Sequence, residues 1–356
     1  MNGGGAERIT LTLAEETARR GYAVDLVLAK AAGPYLAQAS AAVRIVDLGA
    51  TRVMGALPAL VRYLRQARPE VMLSMMGHTN IMALWARRLA RVDTRAVISE
   101  RVVLSRPGIS PWRQPLRNRL LPLLKRRFYP WADGIIAVSG GVADELAAAT
   151  RIPREQIQVI YNPVMRPQLR ERMREPVNHP WFPPDGTPVL LGAGRLRPQK
   201  DFPTLIRAFA QVRRTHPARL VILGEGTQRR MLETLVRQLG VEAHVSMPGF
   251  VDNPYAYMAR ASLFILSSNF EGLPGALIEA MCCGAPVIAT DCPGGPREIL
   301  CDGQYGQLIP TGDVDAMAGA IRKALDEKLP GPPAESWQPF EIDTVVDQYL
   351  DTLRGS

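Results

Sequence analysis

Short apolar runs alternate with longer amphipathic segments along this chain, and the alternation occurs twice, on either side of one proline-rich interruption. In the first block the runs 23–28, 43–48, 71–75, 96–99, 134–138 and 158–161 have strand length, and 9–20, 57–67 and 81–90 between them carry helical periodicity. Strands separated by helices imply a mostly parallel sheet covered on both faces. After Asn162-Pro163 the pattern stops: residues 164–187 hold five prolines and many charges, which reads as a connector. Alternation then restarts with strands 189–193, 219–223, 245–247, 263–266 and 287–290 and helices 202–213, 228–239, 254–260 and 275–283. The expected fold class is α/β, with two Rossmann-like doubly wound domains: 1–163, a linker 164–187, 188–335, and a C-terminal helix within 336–356 packing back on the first domain. Such an architecture places a ligand in a cleft but names no chemistry.

Composition narrows the classes. With 47% apolar residues in 356 the chain can build two cores, and no stretch reads as long disorder. Cys282, Cys283, Cys292 and Cys301 lack paired metal-ligand spacing, so reduced thiols in a cytoplasmic protein are expected. No run is long enough to span a bilayer, which leaves only peripheral membrane contact. The net charge of +9 is concentrated early: residues 1–160 carry 23 Lys/Arg against 12 Asp/Glu. That excess suits an anionic partner, or it is an ordinary solvated surface. Residues 111–129 interleave six cations with Trp112, Leu116, Leu120, Leu121, Leu124 and Phe128. Such a segment either lies on an anionic bilayer or packs inward with a charged outer face.

Three segments of the second block carry candidate chemistry. Gly192-Ala193-Gly194-Arg195-Leu196-Arg197-Pro198-Gln199-Lys200 follows a strand and precedes a helix. Its glycines allow close backbone approach, and Arg195 and Lys200 supply two cations suited to a diphosphate, although ordinary surface cations would look the same. The spacing is not the dinucleotide fingerprint, so nicotinamide chemistry is not expected. A second turn is Gly224-Glu225-Gly226. The third segment, Glu271-Gly272-Leu273-Pro274-Gly275 to Glu279, sets two carboxylates on either side of a turn. Glu279 sits among apolar neighbours, where a ligand's hydroxyl pair, solvent or a nearby cation would satisfy it.

Taken in order, Gly4-Gly5-Ala6-Glu7-Arg8, Ser99-Glu100-Arg101, Val138-Ser139, Tyr161-Asn162-Pro163, Gly194-Arg195 with Lys200, Gly224-Glu225-Gly226, Pro248-Gly249, Glu271 with Glu279 and Gly295-Pro296-Arg297-Glu298 resemble glycosyltransferase family 4, the retaining GT-B enzymes. The resemblance covers nearly the whole chain and implies two domains facing across a cleft. It implies that Arg195 and Lys200 hold the donor diphosphate, that Glu279 bonds the ribose hydroxyls and that Glu271 touches the donor sugar. Gly4 and Gly5 match a loop facing the phosphates. Gly194, Gly224, Gly272 and Leu273 match donor-site backbone, and Gly249 to Val251 the segment lining the base. His78, Glu100 and Arg101 fall on the acceptor or sugar side.

The implied chemistry is retaining transfer of a hexose or N-acetylhexosamine from a nucleotide-diphosphate sugar, a UDP-sugar by preference, with GDP-mannose open. The acceptor is a glycan, lipid-linked by preference. No cofactor and no metal are expected, since two cations and a helix start meet the leaving group's charge and no Asp-x-Asp metal site is found. Relatives carry a first strand before the Gly4-Gly5 loop, and that strand is not seen in this sequence. The competing readings are a sugar-nucleotide epimerase, a catalytically silent relative and a nucleic-acid binder. The last lacks a stacking platform or recognition motif, so no nucleic acid is expected as a partner.

Overall fold

A computed structural model describes residues 5–33, 36, 39–103, 116–165, 167–182 and 186–355. The first part of the chain forms α1 (Gly5–Arg19), β1 (Val24–Leu28), β2 (Val43–Asp47), α2 (Leu57–Ala67), β3 (Val71–Met75), α3 (Gly77–Ala90) and β4 (Arg95–Glu100). It continues through α4 (Leu116–Phe128), β5 (Gly134–Ala137), α5 (Gly140–Thr150) and β6 (Ile157–Val159). The second part begins with α6 (Pro167–Arg172), β7 (Val189–Ala193), α7 (Phe202–Val212), β8 (Arg219–Leu223), α8 (Arg229–Gln238) and β9 (Val245–Gly249). It ends with α9 (Pro254–Met258), β10 (Leu263–Leu266), α10 (Gly275–Cys282), β11 (Val287–Thr290), α11 (Pro296–Ile299), β12 (Gln307–Ile309), α12 (Val314–Glu327) and α13 (Ile342–Arg354).

The described residues divide into two compact units. Unit 1 holds those up to Pro163 together with 342–355, and unit 2 holds those of 164–341. In unit 1, β1 pairs with β2, and β3, β4, β5 and β6 form a second sheet in that order; every pairing is parallel. Among the described residues no strand pairs with the other edge of β1 or of β3. Helices unite the two sheets instead. Leu11 and Ala14 of α1 pack with Leu26 and Val43, while Leu13 of the same helix packs with Met75, Val97 and Ile136. On another side, Val27 and Met72 meet in the cluster built by α2 and α3. Helix α13 buries Val345, Val346 and Tyr349 against the β3–β4 core, and Asp343 near its start pairs with Arg20 of α1 at 2.8 Å.

Unit 2 is one parallel sheet of order β12-β11-β10-β7-β8-β9. The first strand of the unit, β7, lies in the middle; the chain winds outward through β8 and β9, then resumes on the other side at β10. Between β7 and β10 the direction of winding reverses, which is where a doubly wound sheet opens a crevice at the carboxyl ends of its strands. The core beneath is built by Phe202, Leu205, Ile206 and Phe209 of α7 against Leu190, Leu220 and Ile265 of the sheet.

The linker assignment needs correction. Residues 164–165 and 167–182 are part of unit 2: Arg172 donates to Asp252 at 2.7 Å, Asn253 donates to the Arg172 carbonyl at 2.8 Å, and Arg260 donates to the Met173 carbonyl at 3.0 Å. Proline and charge suggested a free connector because the partners of those charges lie about eighty residues further on. The C-terminal boundary also moves. Ser336 and Phe340 are buried in unit 2, and the helix that joins unit 1 begins at Ile342. Helices α5 and α12 and strand β12 complete the units beyond the elements that periodicity singled out.

Candidate functional site

The carboxyl ends of β7, β8 and β9 finish at Gly194, Gly224 and Gly249, with φ of +156°, +128° and +93°. The three turns hydrogen-bond one another. Gly194 N–H donates to the Leu223 carbonyl at 2.9 Å, and Gly224 N–H to the Gly249 carbonyl at 2.7 Å. A Cβ at Gly224 would overlap the Gly194 carbonyl, and one at Gly249 would lie 2.8 Å from Glu225 Oε1. Only glycine permits this layering, because side chains would force the loops apart and positive φ is strained for other residues.

Lys200 leaves the loop after β7 and places Nζ 2.6 Å from Glu271 Oε1, which belongs to the loop after β10. Glu271 is only 6% exposed. Its carboxylate also accepts from Ser268 Oγ at 2.6 Å and from Gln199 Nε2 at 3.3 Å. The backbone is held as well: Ser267 Oγ donates to the Lys200 carbonyl, Asn269 N–H to the Gln199 carbonyl and Glu271 N–H to the Pro293 carbonyl. The reversal point between β7 and β10 thus carries a preassembled cation–carboxylate pair. An ammonium has three donors, so Lys200 can keep Glu271 and still meet a ligand oxygen. Arg195, in the same loop, is exposed, and among the described residues its guanidinium has no ion-pair partner.

Glu271 is followed by the buried turn Gly272-Leu273-Pro274 and then by α10, which begins at Gly275. The turn rests on the loop after β11. A Cβ at Gly294 would overlap the Glu271 carbonyl, and one at Gly295 would approach Leu273 Cδ1 to 2.8 Å. Glu279 is half-buried on α10 and accepts from Tyr255 OH of α9 at 3.3 Å. Val251 is half-buried after β9, beside Phe250, which is 76% exposed. The Cys292 thiol nearby is pushed up to about 12, first by burial and then by the Glu271 charge, so it stays neutral and is no nucleophile.

Unit 1 distributes its candidates differently. Glu100 and Arg101, expected to face substrate, are 4% and 7% exposed and are engaged internally. Glu100 pairs with the buried Lys125 of α4 at 2.6 Å and accepts from Tyr129 OH at 2.8 Å. Burial, and then the Glu100 charge, raises Tyr129 well above the usual phenol range and keeps it a donor. Arg101 donates to Asn162 Oδ1 and reaches Tyr349 OH of α13 at 3.4 Å. His78 is exposed in the first turn of α3. Gly5 is the first residue of α1 rather than part of a loop, and Gly4 lies outside the described residues. Sequence reasoning missed Gln199, Ser268, Tyr255, Lys125 and Gly294. Only the first two had a local signal, one adjoining Lys200 and the other at a strand end three residues before Glu271.

Two successive α/β units with parallel sheets match the architecture of the GT-B glycosyltransferases. Residues 3–165 match the family model described as Glycosyltransferase Family 4, and residues 174–338 the one described as Glycosyl transferases group 1. An N-acetylgalactosamine-N,N'-diacetylbacillosaminyl-diphospho-undecaprenol 4-alpha-N-acetylgalactosaminyltransferase of Campylobacter jejuni is 30% identical over 71% of this chain and 67% of its own length. A lipopolysaccharide 1,6-galactosyltransferase of Salmonella typhimurium is 28% identical over 63% of this chain and 59% of its own. The matched region is thus about three-fifths to two-thirds of these relatives. The structure of Anabaena HepE in complex with UDP-glucose superposes with a TM-score of 0.80 at 22% identity, covering 100% of this chain and 97% of that one. The chain belongs to glycosyltransferase family 4.

Proposed function

We propose that this protein transfers a hexose or N-acetylhexosamine from a UDP-sugar to a lipid-linked glycan acceptor at the cytoplasmic face of a membrane, retaining the anomeric configuration and using no metal. The carrying observation is the Lys200–Glu271 pair at the reversal point, with exposed Arg195 in the same loop. As the sugar–phosphate bond breaks, negative charge grows on the departing diphosphate. Lys200, Arg195 and the start of α10 are the groups that would meet it. Glu279 would take the ribose hydroxyls and Glu271 would orient the sugar through its fixed carboxylate. The donor class draws support from HepE, solved with UDP-glucose. The acceptor class draws support from the Campylobacter relative, whose name carries a diphospho-undecaprenol substrate.

The test is binding and turnover of a panel of UDP-, GDP- and ADP-sugars by the purified protein beside Glu279→Ala and Lys200→Ala, with NMR of the product anomer. Saturable binding of one UDP-sugar, lost in both variants, with an α-linked product from an α-linked donor, is expected. Binding of no nucleotide sugar, or an inverted or epimerised product, overturns the reading.

A further inference from the structure

Helix α9 is short, yet one stretch of chain holds it at both ends. Before its first turn, Asn253 donates to the Arg172 carbonyl at 2.8 Å and to Glu175 Oε2 at 2.7 Å, while its Oδ1 accepts from Ala256 N–H at 3.3 Å. Just past its last turn, Arg260 donates to the Met173 carbonyl at 3.0 Å and to the Arg174 carbonyl at 3.3 Å. Residues 172–175 therefore clamp the helix. Its two buried tyrosines, two positions apart, face different sides. Tyr257 packs edge-on against Phe182 and His179, with ring centroids 5.3 and 6.2 Å away. Tyr255 is 4% exposed and turns toward α10 instead. The Arg172 guanidinium lies over its ring, 5.6 Å from the centroid, and its OH donates to Glu279 Oε1 at 3.3 Å.

Glu279 sits between Ile278 and Ala280, both fully buried, so its carboxylate gains from every donor that the fold supplies. A glutamate also has several rotatable bonds, and fixing them on binding costs rotamer entropy. A hydrogen bond made before the ligand arrives removes part of that cost. An ionised carboxylate has about four lone-pair positions, so one phenol leaves room for a pair of ligand hydroxyls. The Tyr255 bond is at the long end for a hydroxyl donor, and contacts of this kind commonly tighten once substrate is in place.

We propose that Tyr255 is a positioning residue for the nucleotide's ribose: it holds the Glu279 carboxylate in the orientation that accepts the ribose hydroxyl pair, and the 172–175 clamp holds Tyr255 through α9. The proposal rests on the assignment of Glu279 to the ribose. The stretch that reads as a connector in the sequence then serves the donor site, although none of its residues is asked to touch the ligand.

The test is isothermal titration calorimetry of the full chain with UDP and with dideoxyuridine diphosphate, which lacks both ribose hydroxyls. The proteins compared are the unaltered chain, Tyr255→Phe, Glu279→Ala and the double variant. Tyr255→Phe keeps the ring and its packing; it should weaken UDP binding about tenfold and leave the dideoxy affinity and the melting temperature unchanged. The double variant should bind UDP no more weakly than Glu279→Ala alone, because the phenol acts only through the carboxylate. Arg260→Gln, which cuts the clamp at the far end of α9, should also weaken UDP more than the dideoxy probe. Equal weakening of both probes by Tyr255→Phe, additive losses in the double variant, or full UDP affinity in Tyr255→Phe beside a weakened Glu279→Ala overturns the proposal while the ribose assignment stands. Equal weakening of both probes by Arg260→Gln overturns the part given to the clamp. Absence of UDP binding by the unaltered chain, or a Glu279→Ala variant that weakens the two probes equally, removes the ribose assignment itself and the proposal with it.

Discussion

Lys200 Nζ and Glu271 Oε1 stand 2.6 Å apart although 71 residues separate them in the chain. They come from the loops after β7 and β10, neighbouring strands on opposite sides of the reversal in winding. Ser268 and Gln199 hold the same carboxylate. The pair is therefore set in place by the fold before any ligand arrives, which spares the reorganisation that weakens electrostatic catalysis in water.

Breaking the pair from one side should cost more than removing both charges. Lys200→Met leaves a carboxylate that is 6% exposed with only neutral partners, and should lower stability by about 2–4 kcal/mol in urea denaturation. The double variant Lys200→Met/Glu271→Gln should recover at least half of that while transfer stays roughly a hundredfold or more down. Additive losses in stability would show that the two side chains are not coupled.

The strand-end glycines should rank by what a methyl group would strike. At Gly224 and Gly294 it meets backbone carbonyls, of Gly194 and Glu271, whereas at Gly194 it meets the flexible alkyl chain of Lys200. Gly224→Ala and Gly294→Ala are expected to destabilise unit 2 by about 3 kcal/mol or more. Gly194→Ala should fold with a smaller loss and weaken donor binding by displacing Lys200. Melting curves beside titrations with a nucleotide sugar read both effects.

Acid should weaken unit 2 through His179. Its Nδ1 accepts from Trp181 N–H at 3.2 Å, and Nε2 lies 2.9 Å from Ser246 Oγ. Burial, and then the Arg219 charge, holds the imidazole below its ordinary 6.5. His244 is lowered in the same direction by burial, Arg213 and Arg219. The unfolded chain therefore binds more protons than the fold in the window just below 6.5. Stability is full above that value and falls as pH drops through it. The unfolding midpoint should decline from about pH 7.5 to about pH 5.5. The decline should be shallower in His179→Asn/His244→Asn; an unchanged slope in that variant would remove both histidines as its source.

Glu100 and Arg101 should prove to be structural. Lys125→Ala is expected to cost about 3–5 kcal/mol by stranding a buried Glu100, and Lys125→Met/Glu100→Gln much less. Arg101→Ala should loosen α13, whose Tyr349 it contacts, and destabilise unit 1 by about 2–4 kcal/mol. Nucleotide-sugar affinity should be unchanged in all of these. A large loss of donor affinity without loss of stability would return both residues to the substrate side.

The sequence by itself determined the α/β class, nearly every strand, the two-block organisation and the family. These rest on short-range properties: hydrophobic period, strand length, and glycine where φ must be positive, as at Gly194, Gly224 and Gly249. It also marked Arg195, Lys200, Glu271 and Glu279 as one candidate set through motif order. Only the tertiary structure decided which charges are already engaged. It paired Glu100 with Lys125, brought Arg101 to Tyr349 from 248 positions away, docked residues 167–182 into unit 2 and carried α13 into unit 1. The reason is physical. A local pattern reports the conformation a segment prefers and the side it buries, whereas the partner of a buried charge is chosen by packing between segments remote in the chain, which no local period encodes.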